Sequence, residues 1–93
     1  MIAKTILSQI KALDSSALWA WGSKDLTALS DGLRFKSSGM VKWKGYVEVK
    51  YDAGQDLYNV IFSRVRKSQV IVDKLVEGVY FEDLVSVIDS QVG

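Results

Sequence analysis

The sequence predicts an α+β domain: an N-terminal helix, an antiparallel meander sheet of about five strands, and a C-terminal helix. Three observations carry this. Apolar residues recur at helical spacing over residues 2–13 and again after Gly78. Between those segments the apolar period turns toward two. Turn-forming clusters then cut the middle into short runs, at Asp31-Gly32, Ser37-Ser38-Gly39, Asp52 to Gln55 and Arg66 to Ser68. No linker, internal repeat or low-complexity stretch interrupts the chain, so residues 1–93 read as one domain.

Taken in order, Ile2, Ile6, Leu7, Ile10 and Leu13 form one stripe of the first helix, with Lys4, Thr5, Ser8, Gln9 and Lys11 on its wet side. Asp14-Ser15-Ser16 breaks that helix and supplies caps for a short second one over "ALWAWG", which Gly22 can end. The stretch "DLTALSDGLRFK" reads as a hairpin turning at Asp31-Gly32, with arms at 26–29 and 33–36. A long strand follows over 41–51, "VKWKGYVEVKY". Alternation puts Val41, Trp43, Val47, Val49 and Tyr51 on one side and Lys42, Lys44, Tyr46, Glu48 and Lys50 on the other, with Trp43, Val47 and Val49 expected in the core. "LYNVIFSRV" is apolar on both faces, as suits a central strand, and "QVIVDKLV" is the fifth. Phe81, Leu84, Val85, Ile88 and Val92 make the stripe of the last helix, with acids in its first turn. The plainest arrangement packs both terminal helices on one face of the sheet, the alternative being that one of them docks onto a second subunit.

Composition narrows the function. Of 93 residues, 48% are hydrophobic, including three Trp, four Tyr and three Phe. A chain of this length buries only about 60–65% of the surface it exposes when unfolded. The surplus points to a partner surface, and a homo-oligomer is the simplest partner. Cysteine and histidine are both absent, which excludes a disulfide scaffold, a structural zinc site and Ser–His or Cys–His catalysis. "WGSKD" lacks the pattern of a phosphate-binding loop, and "SSGM" is no nucleophile elbow. Asp52 and Asp56 flank a turn without the spacing of a calcium loop, and Glu82 and Asp83 diverge on a helix. The reading is therefore non-enzymatic, with no catalytic residue, metal or cofactor. "MIAKTILSQIKALD" is neither a secretory signal nor a membrane span, so a soluble, cytoplasmic protein is expected.

Charge is uneven although the net is +1. Arg34 to Lys67 holds eight Lys or Arg against Glu48, Asp52 and Asp56, a net of +5, and the stretch from Asp73 onward nets −4. Such a pattern suits a polyanion site or two surfaces that attract each other between subunits.

Two sets of candidate residues emerge. Trp19 and Trp21 are candidate anchors for a protein partner, since Trp dominates interface energies, although core is the commoner fate of at least one of them. Lys42, Lys44, Tyr46, Lys50, Arg64 and Arg66 are a candidate nucleic-acid face, cations for phosphates and a ring for bases. Its integrity depends on hairpin register. With a four-residue loop, Lys44 sits opposite Ser63 and both arginines fall on the Trp43 side. With a three- or five-residue loop, or a bulge at Gly45, the arginines join the lysines. The same lysines equally suit the solvated face of an antiparallel strand, and no RNA-recognition strand motif, clamp loop or Arg-rich tail accompanies them. The order of preference is a binding module for protein, itself included; then a sequence-tolerant nucleic-acid binder; then an enzyme or small-ligand carrier built on carboxylates and tyrosines.

Overall fold

A computed structural model describes residues 2–38 and 43–92. Helix α1 spans Ile2–Leu13 and α2 spans Ala17–Ala20. Five strands follow: β1 Ser23–Leu29, β2 Gly32–Ser38, β3 Lys44–Asp52, β4 Leu57–Arg66 and β5 Gln69–Val79. A 3₁₀ turn over Phe81–Asp83 leads into α3, Leu84–Val92. The strands lie in chain order, each antiparallel to the next, so the sheet is a meander with β1 and β5 at its edges. This is the helix, five-strand meander and helix that the periodicities predict.

Each helix forms for the local reason its sequence gives. In α1, Ala3, Ile6 and Ile10 are buried and Ile2 and Leu7 are half-buried, while Leu13, at the C-terminal end of the stripe, is exposed. The Asp14 carboxylate accepts the Ser16 N–H (3.0 Å) and hydroxyl (2.9 Å), turning the chain into α2. Gly22, at φ +62°, donates its N–H to Trp19 O (3.0 Å) and ends α2 as expected. In α3, Leu84, Ile88 and Val92 are buried on one stripe.

The helices cover one face of the sheet. There Leu33 and Phe35 of β2, Val47 and Val49 of β3, and Val60 and Phe62 of β4 form a single core cluster with Ile6, Ile10, Leu84 and Ile88. Trp21 closes the cluster, its ring stacked on Phe35 (centroids 6.0 Å, planes 3° apart), and its Nε1–H donates to Asp89 Oδ1 (3.1 Å), tying α2 to α3. Val47 and Val49 are core as expected, whereas Trp43 is half-buried and packs edge-on against Phe62 (5.7 Å, 89°).

The turns differ in detail from the sequence reading: Ser37 and Ser38 are still in β2, facing Gly45 and Lys44, and Arg66 is the last residue of β4. Leu29 faces Gly32, so the first hairpin turns at Ser30-Asp31, and Gly32 is already a strand residue. Glycine is required there by proximity, because a Cβ would lie 1.9 Å from Val49 O of β3. The β3–β4 loop holds four residues, 53–56, between the facing residues Asp52 and Leu57. Ser63 therefore opposes Tyr46 rather than Lys44, and the alternation sends Arg64 to the Trp43 side.

Candidate functional site

The uncovered face of the sheet and the edge strand β5 hold most of the residues that function could draw on. Lys44, Tyr46 and Lys50 share the open face of β3, as alternation requires, with Glu48 among them. β2 adds Arg34 and Lys36, which sequence reasoning did not include. Their cationic groups lie 5.7 and 5.9 Å from the centroid of the Tyr46 ring. The ring that was to stack on a base thus already carries two cations from its own sheet. Lys42 lies outside the described residues.

Arg64 does not join the lysines' face. Its guanidinium holds Asp73 of β5 through Nε (2.5 Å) and Nη2 (3.0 Å), and the Trp43 indole N–H donates to the same carboxylate (2.9 Å). Arg64 and Trp43, in that order, hold the Asp73 carboxyl below its ordinary value. This is the only ion pair among the described residues. At the far end of the β3–β4 hairpin the two faces nevertheless converge. A groove of about 350 Å³ is lined there by Lys36, Lys44, Tyr46, Arg64 and Arg66.

The two tryptophans part company. Trp21 is 1% exposed, so it is a core residue and unavailable as a partner anchor. Trp19 is 81% exposed. Two positions apart on a helical turn, they point in well-separated directions, and only one can face the sheet.

The main apolar exposure lies elsewhere. On β5, Val70 (70% exposed), Val72 and Leu75 are open to solvent, with Ile71 partly so, and Val65 of β4 adjoins them. The β5 strand is 11 residues long and, among the described residues, pairs only with β4. It carries a bulge: Phe62 faces Lys74 while Ser63 faces Val72, so Asp73 is an extra residue on the edge. The signal was present in "QVIV", three consecutive apolar residues in the last strand of a meander, which topology leaves at an edge.

Among the described residues no group of three or more carboxylates could hold a metal ion, and no helix is long and apolar enough to cross a membrane. Compared with known proteins, the chain matches no protein family, no curated protein and no solved structure.

Proposed function

We propose that this protein is a non-enzymatic interaction module that self-associates by pairing the β5 edges of two copies. The observation that supports it is the apolar, unpaired edge itself. Edge strands of soluble monomers are commonly kept short, charged or covered, because free N–H and C=O groups beside apolar side chains invite another strand. β5 is long, and its charges near the middle are Asp73, which Arg64 engages, and Lys74.

Those two residues also select a register. In β5, Val70, Val72 and Leu75 lie opposite open-face residues of β4, whereas Ile71, Lys74 and Val76 lie opposite helix-side ones. A regular strand alternates faces, so a two-fold axis through its edge must pass through a residue. The extra residue Asp73 shifts the alternation by one. An axis between Asp73 and Lys74 then keeps both faces in step over residues 70–77. It sets Val72 against Leu75 of the second copy, Ile71 against Val76, and Asp73 against Lys74, which makes two cross-copy charge pairs.

Such an interface is small, and its expected dissociation constant is about 1–100 μM. Sedimentation velocity across that range should show a monomer–dimer equilibrium. Val72→Lys and Lys74→Glu alter exposed side chains and should each raise the dissociation constant about tenfold or more, with the circular dichroism spectrum unchanged. A wild-type chain that stays monomeric throughout, or a Val72→Lys chain that dimerises as before, would sink the proposal.

The second reading is nucleic-acid binding, supported by the convergence of Lys36, Lys44 and Arg66 in one groove, none of them in an ion pair among the described residues. It expects fluorescence anisotropy to report binding of single-stranded DNA that weakens steeply with salt and is lost in Lys36→Glu plus Lys44→Glu. No binding at low salt rejects it.

A further inference from the structure

At the end of the sheet that carries the β3–β4 loop, beyond the 70–77 segment, a second surface is built from aromatic rings and carboxylates. Tyr51 and Tyr58 face each other across β3 and β4, ring centroids 5.7 Å apart and planes tilted by 59°. Gly78, at φ +67°, donates its N–H to Asn59 Oδ1 (3.1 Å) where β5 slips register, and Val79 comes to lie opposite Tyr58. Tyr80 and Phe81 follow directly. Together with Asp56 and Glu82, these four rings line a groove of about 440 Å³, within the size range of small-ligand sites.

We infer that this groove is a binding site for a quaternary ammonium group, the rings supplying its walls and Asp56 and Glu82 its counter-charge. Four features support this occupant. First, two carboxylates and no Lys or Arg line the groove among the described residues, so it favours a cation. Second, the tilted pair makes walls at an angle rather than a flat platform, and aromatic faces attract a cation from several sides. A diffuse alkylated ammonium also sheds water more easily than a bare one. Third, two of the rings are held in place by other side chains. The Tyr51 hydroxyl donates to Asp56 Oδ1 (2.5 Å), and the Tyr58 hydroxyl donates to Gln9 Oε1 of α1 (2.7 Å). Asp56 keeps Oδ2 without a hydrogen bond among the described residues. Asp56 raises the Tyr51 pKa through that bond. Fourth, Tyr80 is 60% exposed and Phe81 about half, an exposure that the packing of the core does not require.

The site is independent of the self-association reading, and its test leaves β5 untouched. Choline, N-trimethyllysine and 3,3-dimethylbutan-1-ol, the uncharged carbon isostere of choline, would each be titrated into the ¹⁵N-labelled chain. Amide shifts at Tyr51, Asp56, Tyr58 and Tyr80 should follow at least one of the two cations, with the neutral alcohol about tenfold weaker or worse. Preference for choline names a small molecule as the natural source of the group, and preference for trimethyllysine names a modified peptide. Tyr80→Ala and Glu82→Gln should each weaken binding several-fold, while the melting temperature and the dimer equilibrium stay as in the wild type. Equal binding of the neutral alcohol, absence of shifts with both cations, or full affinity in Tyr80→Ala plus Glu82→Gln overturns the inference.

Discussion

Replacing Phe35 by alanine is expected to cost about 3–5 kcal/mol of folding stability. Phe35 is completely buried at the middle of β2, with Val47 opposite it on β3 and the Trp21 ring stacked above. Removing the ring deletes the stacking partner of the Trp21 indole, which follows directly on α2. It also leaves a cavity that two rigid neighbours, an indole and a β-branched side chain, cannot collapse to fill. Small domains hold about 5–15 kcal/mol in total, so the variant should sit near the limit of folding at room temperature. Urea unfolding followed by Trp fluorescence measures the loss directly. A shift of less than about 1 kcal/mol would mean that Trp21 and Phe35 do not form the centre of the core.

Gly32→Ala should be the most damaging single-methyl addition. A Cβ at this position lies 1.9 Å from Val49 O and 2.9 Å from Val49 C, both backbone atoms of the neighbouring strand. Neither can rotate away, so β2 and β3 must separate where Gly32 faces Lys50, beside the hydrogen bond from Tyr51 N–H to Asp31 O (2.7 Å). Overpacking of this kind typically costs about 1–3 kcal/mol and more where backbone must move. Gly54→Ala is the matched control. Its nearest neighbour is the Asp52 side-chain oxygen at 3.3 Å, and the loop there is open to solvent. Its melting temperature should stay close to the wild type while that of Gly32→Ala falls by several degrees or more. Equal melting temperatures for the two variants would contradict the close approach of β2 to β3.

The same residue shows what local reading can and cannot reach. Asp31-Gly32 looks like a turn pair, and a turn is indeed there. The glycine answers to a carbonyl 17 residues away in sequence, which no turn rule contains. Register behaves alike. A four-residue loop and a five-residue loop differ by one position, and that position decides whether Arg64 sits beside Lys44 or beside Trp43. The structure takes the four-residue loop, and Asp73, nine residues further on, fixes the arginine there.

Sequence alone determined the order and type of the elements, because helical and strand periodicity are local and each segment carries its own. It also determined which residues share a strand face: alternation groups Lys44, Tyr46 and Lys50, and they lie together. Tertiary structure decided the rest. It chose Trp21 over Trp19 for the core, since burial depends on what packs above a short helix and not on the helix itself. It put the bulge at Asp73 into β5, because which residue is left over is set by the register against β4. And it assembled Tyr51, Asp56, Tyr58, Tyr80, Phe81 and Glu82 into one groove from segments on either side of β5, a convergence that only long-range pairing creates.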